Sequence, residues 1–235
     1  MPVTGKELLH ARTVAPSILS ASFARLGSAV AEVMAAGARV IHCDVMDGHF
    51  VPPITIGPLV VGAIADQVHD AGGILDVHLM IERPEHQIAE FARAGADGIT
   101  IHVEATPHVN FTLGHIREAG CSAGAALNPA TPVELLAEVA ASDLDLALCM
   151  SVNPGWGSQP LIPGSYGKLT RLRTLLPDQV ALEVDGGIHV DTAAGVVSAG
   201  ANLLVAGSAI FGAEDPAEAY RAILGAMATP LDAVH

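Results

Sequence analysis

Three short stretches of this chain place charged or imidazole side chains on alternating positions of otherwise apolar sequence. They are His42-Cys43-Asp44-Val45-Met46, Asp76-Val77-His78-Leu79-Met80 and Glu183-Val184-Asp185. Successive side chains of an extended strand point to opposite faces, so His42, Asp44 and Met46 share one face and Cys43 and Val45 the other. The same parity groups Asp76 with His78 and Met80, and Glu183 with Asp185. Two readings follow. Such residues can solvate a strand edge or hydrogen-bond one another in an interior. Alternatively, His42, Asp44, His78 and Asp185 converge as two imidazoles and two carboxylates on one divalent cation. A donor set without thiolate suits zinc or ferrous iron, with manganese and cobalt as further candidates.

A second group of residues suits an anion. Ser151-Val152-Asn153-Pro154-Gly155-Trp156-Gly157-Ser158-Gln159, Asp185-Gly186-Gly187 and Ala206-Gly207-Ser208 each follow an apolar run. Glycines let backbone N–H groups close on phosphate, and a short helix after the last run would add its positive end. A cation beside two carboxylates, with a phosphate grip nearby, describes metal-assisted proton transfer on a small sugar phosphate. If Asp44 and Asp185 face each other, one can remove a proton from a carbon next to a carbonyl and the other return one on the opposite side. The metal would polarise that carbonyl and hold the enediolate. Met46, Met80 and Met150 would either fill core or form a dry, polarizable cap over it.

These residues need elements to position them. Apolar strand candidates occur at 13–19, 39–44, 74–80, 98–102, 122–127, 144–150, 180–184 and 203–206. Helical candidates alternate with them at 25–36, 57–70, 84–94, 109–119, 133–140, 166–176, 191–199 and 216–227. A short signature marks four of the turns from helix to strand: Ala36-Gly37-Ala38, Ala94-Gly95-Ala96, Ala119-Gly120-Cys121 and Ala199-Gly200-Ala201. Glycine there supplies a left-handed helix C-cap. Strands alternating with helices argue for parallel βαβ units. Eight units in 235 residues predict a closed (β/α)8 TIM barrel occupying 1–235 as a single domain, with an open doubly wound sheet as the competitor. In a barrel the chemistry sits at the C-terminal strand ends, where all the residues above fall.

Composition limits the partners. The chain is 51% hydrophobic and carries a formal net charge of −14, with Lys6 and Lys168 its only lysines. It lacks the basic face that nucleic-acid binding needs. Mean hydropathy is +0.46, yet the uncharged runs at 146–167 and 192–213 are broken by glycine and proline, so no membrane span is expected. Three cysteines without metal-type spacing, Cys43, Cys121 and Cys149, read as small packing residues of a reducing compartment, and the expected location is cytoplasmic.

The chain resembles the ribulose-phosphate 3-epimerase family. The residues that carry the resemblance run in order from Ala15-Pro16-Ser17-Ile18-Leu19-Ser20-Ala21 through His42-Cys43-Asp44-Val45-Met46-Asp47-Gly48-His49-Phe50-Val51-Pro52 and Leu75-Asp76-Val77-His78-Leu79-Met80. They continue with Ala126-Leu127-Asn128-Pro129-Ala130-Thr131, Met150-Ser151-Val152-Asn153-Pro154-Gly155, Glu183-Val184-Asp185-Gly186-Gly187-Ile188 and Val205-Ala206-Gly207-Ser208-Ala209-Ile210-Phe211. The resemblance implies a (β/α)8 barrel that interconverts D-ribulose 5-phosphate and D-xylulose 5-phosphate in the pentose phosphate pathway. It implies Asp44 as proton acceptor, Asp185 as proton donor, and one divalent metal on His42, Asp44, His78 and Asp185. Ser17 and His78 would touch substrate. Gly155, Trp156, Gly157 and Ser158, with Gly186, Gly187, Gly207 and Ser208, would receive the phosphate. A homo-oligomer is also implied.

The chain departs from the family pattern in its loops. Pro53 stands where Asn is usual, Ser158 replaces a glycine of the Gly-Phe-Gly-Gly-Gln loop, and Pro160-Leu161 replace a polar-aromatic pair. A serine tolerates a left-handed backbone poorly. These positions bear on substrate size, so an epimerase of a six-carbon ketose phosphate such as allulose 6-phosphate is the nearest alternative. A non-catalytic sugar-phosphate binding barrel is another. Related decarboxylases and aldol synthases carry an Asp-x-Lys-x-x-Asp motif where this chain has Asp76-Val77-His78. A Schiff-base mechanism needs a lysine at a strand end, and none is expected there.

Overall fold

The computed structural model describes residues 5–228. Eight parallel strands follow one another: β1 (Thr13–Pro16), β2 (Val40–Met46), β3 (Ile74–Met80), β4 (Gly98–His102), β5 (Ser122–Leu127), β6 (Leu146–Met150), β7 (Ala181–Asp185) and β8 (Leu203–Ala206). They form a single sheet in the order β1-β8-β7-β6-β5-β4-β3-β2. The β1–β2 seam is joined by one bridge, Ser17 to His42. The result is a TIM barrel, and its closure falls on two of the residues singled out above. The expected single domain extends at both ends (1–4 and 229–235) beyond the described residues.

The helices are α1 (Gly5–His10), α2 (Leu26–Ala35), α3 (Pro58–Asp70), α4 (Ile88–Arg93), α5 (Val109–Glu118), α6 (Gly164–Leu175), α7 (Val190–Ser198), α8 (Ser208–Phe211) and α9 (Pro216–Ala226). The glycine signature works as the sequence predicts. Gly37, Gly95, Gly120 and Gly200 all have positive φ. In each case the small residue that follows donates its N–H to the carbonyl five residues back, as Ala38 does to Val33 at 3.0 Å. This is the Schellman closure of a helix, and it aims the chain directly into the next strand.

Strand parity divides the apolar residues into two bodies. Ile41, Cys43, Val45, Leu75, Val77 and Leu79 point outward into the layer between sheet and helices. Val40, Ile74, Ala126, Leu146, Leu148, Met150 and Val205 fill the barrel interior. Gly124 on β5 is required by a close approach: a Cβ there would lie 2.1 Å from the Thr100 hydroxyl on β4. Cys43, Cys121 and Cys149 are free and buried, which is the packing role their spacing predicts. Among the described residues no helix is long and apolar enough to cross a membrane.

Several boundaries differ from the sequence reading. The first strand ends at Pro16, not at 19, because Ser17 caps a 3-10 turn over Ile18–Ser20, its hydroxyl accepting the Leu19 N–H at 3.3 Å. The segment 84–94 divides into a 3-10 turn, Pro84–His86, and α4, because Arg83 takes a left-handed conformation just before it. The helix expected over 133–140 is a 3-10 turn, Val133–Leu136. Its buried residues, Val133 and Leu136, stand three positions apart, which suits 3-10 geometry. α1 has no counterpart in the expected set. It brings Leu9 into the interior cluster at the N-terminal end of the barrel, and Asn202 holds it by donating to the Leu9 carbonyl at 2.8 Å.

Candidate active site

β2 and β3 are fully buried along their whole length and run in register, with His42 beside Asp76 and Asp44 beside His78. β7 ends on Asp185. One ligand atom from each of His42, Asp44, His78 and Asp185 lies within 4.8 Å of all the others. His42 Nε2 is 3.3 Å from Asp44 Oδ1, and His78 Nδ1 is 3.1 Å from the same oxygen and 3.9 Å from Asp185 Oδ2. The other oxygen of Asp44 accepts from the Ser17 hydroxyl at 2.6 Å. The four sequence-predicted ligands are therefore together.

The details of this cluster suit a cation. His42 donates or shares its Nδ1 with Asp76 Oδ2 at 2.7 Å, while its Nε2 is buried without a hydrogen-bond partner. An imidazole held by a carboxylate on one nitrogen and bare on the other is the usual state of a metal-binding histidine. Burial works against a charged His42, but the carboxylates of Asp44 and Asp76 on either side outweigh it and push its pKa well above the ordinary value. The cluster thus attracts positive charge, and a divalent ion can replace the proton.

The two carboxylates have opposite surroundings. Burial would raise Asp44, but the charge of His42 and its contacts with His42 and His78 hold it well below the usual carboxylate range. Burial, joined by the negative charge of Asp44, pushes Asp185 up to about 7. Environments that separate two carboxyl groups in this way set one up as base and the other as acid. Burial above all lowers His78 to about 4.

A cavity of about 570 Å³ opens over this cluster, within the range of small-ligand sites. Ser17, Asp44, Met46, Met80, Met150 and Asp185 line its inner part. The methionines are almost wholly buried, at 3%, 1% and 2% exposure. Gly155, Trp156, Gly157, Ser158, Gly186, Gly187, Gly207 and Ser208 line its outer wall. His42 and His78 are fully buried behind the floor that Asp44 and Asp185 make.

The glycine turns are shaped by close approach. A Cβ on Gly187 would lie 2.4 Å from the Leu161 nitrogen, and one on Gly186 would lie 2.4 Å from Val152. Ser151 ties the loops after β6 and β7 together, its hydroxyl 2.6 Å from the Gly186 carbonyl. Gln159 braces the β6 loop by donating to the carbonyls of Asn153 and Trp156 at 2.7 and 2.8 Å. Ser158 has a φ of 61°, the left-handed conformation its position in the glycine pattern predicts. Gly207 caps the four-residue α8, the short helix expected after strand eight.

Two residues near the cluster escape the sequence reading. His102, at the last position of β4, is fully buried, and its Nε2 lies 2.9 Å from His78 Nε2. Glu104 follows in a 3-10 turn, with Oε2 3.1 Å from His102 Nδ1. The available signal was a histidine ending a strand at the same barrel mouth. Glu183 belongs to β7 on the same face as Asp185, but lies deeper, 3.5 Å from His42 Nδ1.

With this geometry in view, the comparisons with known proteins are specific. The model of the ribulose-phosphate 3 epimerase family matches residues 13–211. The chain belongs to the ribulose-phosphate 3-epimerase family. It is 50% identical to the ribulose-phosphate 3-epimerase of Bacillus subtilis over 90% of this chain and 98% of that one. It is 45% identical to the Escherichia coli K12 ribulose-phosphate 3-epimerase over 93% and 95%. As a member of this family the chain is an enzyme, an isomerase. Among solved structures, the crystal structure of KGPDC from Streptococcus mutans superposes with a TM-score of 0.69 at 17% identity, covering 92% of this chain and 97% of that one. At that identity the likeness concerns the barrel alone.

Proposed function

We propose that this epimerase inverts C3 of D-ribulose 5-phosphate to give D-xylulose 5-phosphate, the interconversion of the pentose phosphate pathway. The observation that carries the reading is the pair Asp44 and Asp185. They reach one cavity from β2 and β7 with their proton affinities pushed in opposite directions. Asp44, held as carboxylate, takes the proton from C3 on one face and leaves an enediolate. Asp185, whose proton affinity burial and the charge of Asp44 raise, returns one on the other face. Microscopic reversibility exchanges the two roles in the reverse direction.

His42, Asp44, His78 and Asp185 would hold one divalent ion, zinc or ferrous iron before manganese or cobalt. That ion supplies Lewis-acid polarisation of the substrate carbonyl. The bare Nε2 of His42 and the carboxylate on its Nδ1 support this donor set. Ser17 fixes Asp44 and touches substrate beside it. Met46, Met80 and Met150 keep water from the carbanionic carbon. The turns at Gly155–Ser158, Gly186–Gly187 and Gly207–Ser208 receive the phosphate through backbone N–H groups. This answers how a chain at −14 can hold an anion with two lysines.

The chain acts in the cytoplasm as a homo-oligomer, one barrel domain to each subunit, on a small ketose phosphate and without nucleic acid or membrane. Three free thiols support the reducing compartment, and the highly exposed Ile54 and Leu59 suit an interface between copies. The deciding assay compares turnover of ribulose 5-phosphate and allulose 6-phosphate by metal-replete protein. The reading predicts a much larger kcat/KM for the five-carbon substrate. A preference for the six-carbon one would replace it, and turnover of neither would leave a binding barrel.

A further inference from the structure

We propose that His102 and Glu104 are positioning residues that hold His78 in the tautomer with hydrogen on Nε2 when an ion occupies the four-residue cluster and takes its Nδ1. This rests on the ligand set proposed above and extends it by two residues. The argument is a chain of donors and acceptors. Glu104 Oε1 accepts the Asn128 N–H at 2.8 Å and the hydroxyl of Thr131, so its carboxylate is anchored to the loop after β5. Its Oε2 faces His102 Nδ1 at 3.1 Å. A carboxylate only accepts, so His102 Nδ1 carries the hydrogen. A neutral His102 then offers a lone pair at Nε2, and the atom 2.9 Å away is His78 Nε2, which must donate. His78 Nδ1 also meets a carboxylate, Asp44 Oδ1 at 3.1 Å, so a neutral His78 donates at Nε2 only when an ion in the four-residue cluster takes Nδ1.

The surroundings fix this geometry. The His78 and His102 ring centres lie 5.0 Å apart with their planes inclined by 28°, and Phe50 packs against His102 at 4.7 Å. Neither imidazole has any exposed surface. Lys168, from α6, donates to the carbonyls of Asn128 and Pro129 and so holds the loop that anchors Glu104. The two histidines of the cluster are thus prepared by different devices. Asp76 holds His42 directly through Nδ1, leaving Nε2 free, whereas Glu104 holds His78 at one remove through Nε2, leaving Nδ1 to the cluster. Losing an outer partner of this kind weakens metal binding by about 10- to 100-fold.

The test uses the full chain, Zn(II) as the probe, and nitrogen-15 spectra of the histidine rings in Zn(II)-loaded protein at pH 8. Wild-type protein should show His78 protonated at Nε2 and His102 at Nδ1. Glu104→Gln can donate its amide to His102 Nδ1, which moves the His102 hydrogen to Nε2 and sets it against the N–H of His78. Glu104→Gln and His102→Leu should each weaken Zn(II) binding by calorimetry about 10- to 100-fold. His102→Gln keeps an acceptor for the His78 N–H and should restore most of that loss, a rescue that a purely structural role would not give. Protonation of wild-type His102 at Nε2, or unchanged Zn(II) affinity in Glu104→Gln, would overturn the proposal. If wild-type protein binds no Zn(II), the ligand set itself fails, whereas tight binding with unchanged variants overturns the relay alone.

Discussion

The Ser17 hydroxyl donates to Asp44 Oδ2 at 2.6 Å, across the seam where β1 and β2 are joined by one bridge. That contact turns Oδ1 of the same carboxylate towards His42 and His78. Closure of the barrel and orientation of the base are therefore one structural event. Ser17→Ala should lower kcat/KM roughly 10- to 100-fold, the weight of a hydrogen bond of about 1.5–3 kcal/mol to a charged group. Steady-state kinetics check this, and wild-type values would show that Asp44 needs no such anchor.

Asp44 and Asp185 should fail separately. Asp44→Asn and Asp185→Asn should each reduce epimerisation by about 10²–10⁴-fold, the range for loss of a general base or acid. Elemental analysis should also find less metal in Asp44→Asn, and chelation of wild-type protein should abolish turnover until metal is restored. Near-normal turnover in either variant would contradict the two-carboxylate mechanism.

Ser158 is held at a φ of 61°. A left-handed non-glycine residue costs about 1–2 kcal/mol, and glycine returns roughly 0.5–1 kcal/mol of that in chain entropy. Ser158→Gly should therefore stabilise the protein by about 0.5–1 kcal/mol in urea titration. A loss of stability would mean that the serine hydroxyl contributes more than its backbone costs.

Glu104 gives a dependence on pH. Burial would raise its pKa, but hydrogen bonds from His102, Thr131 and the Asn128 N–H outweigh that and hold it at about 2. A depressed carboxyl stabilises the fold fully above its unfolded value near 4.5, and the contribution is lost as pH falls towards 2. The difference in Tm between wild type and Glu104→Gln should be constant above pH 5 and shrink below it. A difference that stays level to pH 3 would contradict the anchoring role.

Much of this was legible because period-two alternation is a strong signal in buried strands. His42, Asp44, Asp76, His78 and Asp185 share the parity that brings them inward, and the Ala-Gly-small turns mark four helix ends. What the sequence left out has physical causes. His102 ends a strand that reads as plainly apolar, and Glu104 reaches it from a 3-10 turn that no periodicity announces. The 3-10 turn at Val133–Leu136 shares its apolar spacing with a helix, and only packing distinguishes them. α1 is too short to show a pattern; its place is set by Leu9 entering the barrel and by Asn202, far away in sequence.

The central claim is that Asp44 and Asp185 move a proton at C3 on opposite faces of a ribulose phosphate. The most direct measurement is exchange of the C3 hydrogen of ribulose 5-phosphate in deuterated water with metal-replete protein, followed by proton NMR. The account predicts that xylulose 5-phosphate forms carrying deuterium at C3, and that Asp44→Asn slows the incorporation by about 10²–10⁴-fold. Product that retains the original hydrogen at C3, or no exchange at all, would contradict it.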